Sequence, residues 1–172
     1  TDEQEILQYG FECLINSIIP ISFFLLFAIL QNIFLETLMW MTLFLLLRNY
    51  IGGYHASTSN RCIVLSTLYG LFMILCIKYI HSVHLFIEVL ICSIITIYHI
   101  IFGTILNDKD LVINYKKYKL LSLIIILIES IFIIVFNLNS CRLHLCIFIS
   151  MISAELLHYI EKIKVIIRKK AH

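Results

Sequence analysis

Six apolar stretches, at positions 15–30, 33–47, 63–77, 85–106, 120–136 and 143–160, take up most of the 172 residues. They leave few folds open. In hydrocarbon every backbone N–H and C=O must find its partner inside the protein, so long continuous apolar runs are read as membrane-crossing helices. The composition agrees: 61% hydrophobic residues, 14% charged and a single Pro are too apolar a mixture for a soluble domain of this size. The expected architecture is therefore an all-α, polytopic membrane helix bundle, one domain over 1–172, with about six spanning helices; a version with four, some segments lying flat, stays open. The second and third stretches fall short of the roughly 20 residues a span requires unless their polar flanks extend them. Pro20 is expected to kink the first segment or to mark its beginning.

The N-terminus carries Asp2, Glu3, Glu5 and Glu12 among apolar residues. It has no basic n-region and no small-residue cleavage site, so a signal peptide is not expected. Residues 1–14 read better as a short helix on the membrane surface, and the absence of Met at position 1 suggests that Thr1 is not the true start. Orientation follows from the cations. With six spans, the N-terminus, the second and fourth gaps and the C-terminus share one side, which holds eleven Lys and Arg against two, Lys78 and Arg142, on the other. The positive-inside rule makes the richer side cytoplasmic. Five of the six cysteines, Cys13, Cys76, Cys92, Cys141 and Cys146, lie in or beside apolar segments and are read as small hydrophobes rather than a disulfide framework.

The sixth cysteine closes the stretch 48–62, RNYIGGYHASTSNRC, the only long interruption that is also rich in chemistry. A thiol attacks as thiolate, so it requires a base, a positive field or both. His55 supplies a base, and Arg48 and Arg61 supply charge. On one continuous helix His55 and Cys62, seven residues apart, would be roughly 10 Å apart along the axis, too far to share a proton. The chain must fold back for the two to react together. Gly52 and Gly53 permit such a turn, and Ser59 or Asn60 is expected to cap the helix that continues from Cys62. That places the sulfur in a first helical turn, where unpaired N–H groups and the positive end of the macrodipole favour a thiolate and an oxyanion. The plainer alternative is a polar loop with a spare thiol.

The run Arg48, Gly52-Gly53-Tyr54-His55-Ala56 and Cys62, set between two apolar segments, resembles the signature of the accessory gene regulator B (AgrB) family, membrane cysteine endopeptidases that process quorum-sensing propeptides. The resemblance implies that Cys62 is the nucleophile and His55 its base, that an acyl-enzyme thioester forms, and that a substrate cysteine then takes the acyl group to close a thiolactone ring. It also implies an AgrD-like propeptide with an acidic C-terminal region, for which Lys116, Lys117 and Lys119 are candidate binding residues; the basic surface they form with the tail from Glu161 also reads as one that attracts anionic membrane lipids, and both readings can hold. Arg48 is given a supporting role, by hydrogen bonds to carbonyls or by binding a carboxylate, and Gly53 permits close backbone approach beside His55. Where loops with Pro are common in the family, 107–119 has none.

Glu36, Glu88, His99, Glu129, Glu155 and His158 fall inside apolar segments, where ionisable groups are expensive and mark functional candidates. Glu129 and Glu155 are candidates to pair with His99 or His158, to orient His55, or to line a wet cavity; Asn60 and Gln31 are the other candidates for orienting His55. No metal or other cofactor is expected, because the stretch offers two ligands where zinc takes three or four. Neither an ATP-binding loop nor a basic stacking surface for nucleic acid is present. Two further readings remain: a non-enzymatic transporter or receptor component for a peptide, and an S-acyltransferase. A homodimer is a reasonable assembly for so small a helix set.

Overall fold

The computed structural model describes residues 2–52, 59–80, 83–102, 115–138 and 143–170. Among them are six helices and no strand: α1 (Asp2–Leu30), α2 (Phe34–Ile51), α3 (Ser59–Tyr79), α4 (Leu85–Phe102), α5 (Tyr115–Leu138) and α6 (Leu143–Lys170). Each corresponds to one of the six apolar stretches. Four contain segments long and apolar enough to cross a membrane, namely Phe34–Ile51, Asn60–Tyr79, Tyr115–Asn137 and Leu143–Lys164. Ser17–Leu30 and Leu85–Ile101 are apolar but shorter. The chain is a multi-pass helical membrane protein.

The expected boundaries shift in three places. The surface helix at 1–14 is not a separate element, since α1 runs unbroken from Asp2 to Leu30 with Pro20 inside it. The second and third stretches are not short: α2 continues through the polar residues Arg48 and Asn49, and α3 begins at Ser59. Both helices therefore reach into the 48–62 stretch from either side. Asn60 stands inside the first turn of α3 and is not its cap.

Local chemistry explains the ends. At the close of α1, Asn32 takes a left-handed φ of 56°, which Asn tolerates better than most residues. Ile33 N–H then donates to Ala28 O at 3.0 Å and Asn32 N–H to Ile29 O at 3.1 Å, the paired bonds of a Schellman turn. Three residues thus reverse the chain and set α2 beside α1. At the other end of α2, Gly52 has φ 79° and ψ 174°, a region open essentially to glycine alone, and its N–H donates to Arg48 O at 3.0 Å.

The centre of the bundle is α6. It is 67% buried over Leu143–Lys164, against 22–28% for the other spanning stretches, and α2, α3 and α5 all pack on it. Trp40 stacks on Phe44 with ring centroids 5.5 Å apart and meets Phe24 edge-on at 6.2 Å, tying α1 to α2. Gly70 lets α3 approach α1: a Cβ there would fall within the Phe24 ring. Phe23, Leu26, Leu68, Phe72, Ile97 and Ile131 are exposed. So many exposed aliphatic and aromatic side chains fit a surface solvated by lipid.

Candidate active site

α2 and α3 present their ends to one another at the mouth of the bundle. Cys62 is half-buried in the first turn of α3, and its thiol is free. Backbone N–H groups of such a turn have no acceptor within the helix. Arg48, in the last turn of α2, lies within electrostatic reach of both Cys62 and the Tyr69 hydroxyl. Its guanidinium also stands over the Phe44 ring, 5.9 Å from the centroid. A cation that is planar, permanently charged and held on an aromatic face is well placed to favour negative charge on a neighbouring sulfur.

Two contacts to α6 fix this arrangement. Tyr69 Oη donates to Ser153 O at 2.9 Å, which ties α3 to the central helix. His158 lies against the backbone of Ile51, the last residue of α2. Beside it, Tyr50 and Tyr118 face one another with ring centroids 6.1 Å apart, so the start of α5 borders the same mouth.

The remaining expected residues divide. Gly53 and His55 lie outside the described residues, as does the side chain of Ser59. Asn60 is exposed on the first turn of α3. Lys116 and Lys117 are exposed near the start of α5, whereas Lys119 Nζ donates to Ile100 O at 2.8 Å and so closes the end of α4. Gln31 belongs elsewhere: it sits in the α1–α2 turn and accepts a hydrogen bond from Lys78 Nζ, at the opposite end of α2 from Arg48. With 18 residues of α2 between the two ends, Gln31 lies roughly 27 Å from Arg48 at 1.5 Å per residue; His55, which it is a candidate to orient, lies outside the described residues.

Of the intramembrane ionisable groups, Glu155 does pair with a histidine: its Oε1 is 3.3 Å from His99 Nδ1, and His99 Nε2 is 2.7 Å from Ser122 Oγ. Glu129 pairs with neither histidine; among the described residues its oxygens have no hydrogen-bond partner. Glu88 meets His144 at 3.4 Å and accepts from Asn137 Nδ2 at 2.9 Å. Glu36 is half-exposed in the first turn of α2. The sequence reading missed Tyr69, Ser122 and His144. Only His144 left a signal there, standing eleven residues before Glu155 as Glu88 stands eleven before His99. Among the described residues no group of three or more His, Cys, Asp or Glu forms a metal-binding cluster.

Comparison with known proteins agrees with the family resemblance. Over 79 residues, 46% of this chain, the sequence is 37% identical to AgrB-like protein 2 of Clostridium perfringens (strain 13 / Type A), and equally to an AgrB-like protein of Clostridium perfringens (strain SM101 / Type A). The aligned stretch spans about a third of those relatives' length, 35% in each. No solved structure matches. The family model for accessory gene regulator B matches residues 1–161. The chain belongs to the accessory gene regulator B (AgrB) family.

Proposed function

We propose that the protein is a membrane-embedded cysteine endopeptidase that cleaves the C-terminal region from an AgrD-like propeptide and promotes thiolactone or lactone cyclisation of what remains. The observation that supports this best is Arg48 beside Cys62 at the opening of α3. It gives the one cysteine in the signature a neighbouring cation, at a first-turn position whose backbone N–H groups have no acceptor within the helix.

In this reading His55 takes the Cys62 proton. It follows Gly52 by three residues, so covalent reach keeps it within about 11 Å of that turn. The thiolate adds to the scissile carbonyl, and first-turn N–H groups of α3 hold the oxyanion. Collapse breaks the C–N bond, His55 returns its proton to the leaving amine, and the N-terminal part of the substrate stays on Cys62 as a thioester. A substrate thiol or hydroxyl then displaces Cys62 and closes the ring, with one thioester exchanged for another or for an ester. Water must be kept out, since hydrolysis would give a linear product; a site recessed between helix ends provides that shelter. The cation-rich side, with the termini and this site, faces the cytoplasm, where a newly made peptide and a reduced thiol coexist. Lys116 and Lys117 attract the acidic end of the substrate.

The test is to incubate the purified protein with a candidate propeptide and search by mass spectrometry for an acyl adduct on Cys62. Adduct and cleavage should both vanish in Cys62→Ala. Cleavage undiminished by that change would refute the reading and leave the non-enzymatic alternative.

A further inference from the structure

Away from Cys62, chemistry concentrates in a seam between α4, α5 and α6. Glu88 and His99 are eleven residues apart on α4, and His144 and Glu155 eleven apart on α6. Eleven residues are close to three turns, so each couple shares a helix face about 16 Å apart along the axis. The two helices run in the same direction, and the couples meet with residue types exchanged, Glu88 with His144 and His99 with Glu155, at 3.4 and 3.3 Å. α5 runs the other way and closes both levels, Asn137 donating to Glu88 and Ser122 meeting His99.

Glu129 lies between the levels, seven residues from Ser122 and eight from Asn137, or roughly 10–12 Å from each along α5. It is 2% exposed, and neither carboxyl oxygen has a hydrogen-bond partner among the described residues. Cys92 stands within electrostatic reach of both Glu88 and Glu129, beside Ser130. A half-open groove of about 310 Å³ adjoins this middle level; its wall is largely apolar, with exposed Val89, Ile97 and Leu127, and includes Cys92, Thr96 and Ser130. At the end nearest Cys62, fully buried His158 faces His99, Glu155 and Lys162, and neither ring nitrogen has a hydrogen-bond partner of good geometry among the described residues.

Packing alone does not account for this column. A buried polar group without a partner costs kilocalories, and more in hydrocarbon, where apolar side chains would fill the same space. Water removes the difficulty, because one buried molecule brings two to four hydrogen bonds and requires a comparable number of polar neighbours. Every level of the seam offers them. Carboxyl and imidazole groups joined by water can each accept a proton on one side and release one on the other.

We propose that the α4–α5–α6 seam is a hydrated acid–base column that relays protons through the bilayer between the Glu88–His144 level and His158. Each step balances: an O–H or N–H bond forms as its neighbour's breaks, and the only co-reactant is the proton supplied at one face. The relay stands independently of the peptidase reading, whose chemistry takes place at Cys62.

The experiment uses the full chain in sealed liposomes containing a pH-sensitive dye. Valinomycin and potassium carry the compensating charge after an external pH step. Internal pH should follow several-fold faster than in protein-free liposomes. Glu129→Gln and His99→Gln should each return the rate toward the protein-free value, whereas Glu36→Gln, outside the seam, should keep it. A full-chain rate equal to the protein-free rate, or a rate unchanged in both variants when each elutes as a folded protein, overturns the proposal. A readout that requires no variant decides the matter if folding fails. Dicyclohexylcarbodiimide, which attacks carboxyl groups in apolar surroundings, should add its mass to Glu129 and stop the flux; flux that persists after Glu129 is modified also overturns it.

Discussion

The contact between His99 and Glu155 lends itself to a double-mutant cycle. His99→Leu removes the 2.7 Å contact to Ser122, worth about 1 kcal/mol, and strips Glu155 of its histidine, a desolvated orphan worth about 1–3 kcal/mol. Glu155→Leu leaves His99 Nδ1 without the carboxylate, again about 1–3 kcal/mol. In the double variant neither orphan exists. What remains lost is the Ser122 contact, and Ser122 keeps its own 2.9 Å bond to Lys119 O. The double variant should therefore be more stable than the sum of the singles. Pairs of this kind within membranes couple by 0.6 kcal/mol on average and 1.7 at most in a measured series, and near-complete burial of both partners, 0% and 8% exposed, places this one toward the upper end. A coupling of about 1.5 kcal/mol, close to a factor of ten in the unfolding constant, is expected. The four proteins would be compared by reversible unfolding in mixed micelles, followed by circular dichroism. Additivity within about 0.5 kcal/mol would show that the two side chains are mere neighbours and that the seam is not held by this pair.

Gly52→Ala should destabilise by about 1–3 kcal/mol, because φ 79° with ψ 174° excludes a Cβ, and should reduce propeptide cleavage more than a surface change of equal stability cost, as read by product formation at matched folded fraction. Gly70→Leu should cost about 1–3 kcal/mol or more by driving a side chain into the Phe24 ring, visible as a lower unfolding midpoint. Lys116→Ala with Lys117→Ala should raise KM for an acidic propeptide at low salt, with the difference fading as salt screens the charges. Lys119→Ala should instead lower thermal stability, by about 1 kcal/mol, through loss of its bond to Ile100 O.

The helix order was legible because hydropathy alone separates the six stretches, and each became a helix. The ends were less so. A helix continues into polar residues for as long as its backbone stays paired, which is why α2 runs through Arg48 and Asn49 until Gly52 breaks it. The glycine pair marked that break, yet the 48–62 stretch read as one loop because charge was taken for irregular structure. Arg48 and Cys62 were legible as members of one signature, and their proximity follows from two helix ends meeting across a short connection. Gln31 shows the limit. A polar residue between two apolar segments has many possible partners, and only the packing of α3 on α1 brings Lys78 to it. The spacing of Glu88, His99, His144 and Glu155 was readable as two couples of equal interval, but the pairing required knowing that α4 and α6 run parallel. Tyr69 carried no mark at all, since a tyrosine in an apolar segment reads as part of the lipid face until its hydroxyl is seen on Ser153 O.

The two helices that carry Arg48 and Cys62 touch one another little; both pack on α6, and both also pack on α1. Tyr69 anchors α3 to that helix through Ser153, and His158 meets α2 at Ile51, five residues further along the same helix. The separation of the guanidinium and the sulfur is thus set by the elements on which both helices pack, α6 nearest the site, rather than by direct packing of the two that hold them. α6 also carries Glu155, so the buried pairing with His99 lies within one turn of the residue that meets Ile51. Loosening the seam therefore loosens the mouth. A substitution deep among α4, α5 and α6, with no contact to Arg48 or Cys62, can alter how those two groups face one another, because both are referenced to the same stretch of α6, Ser153 to His158.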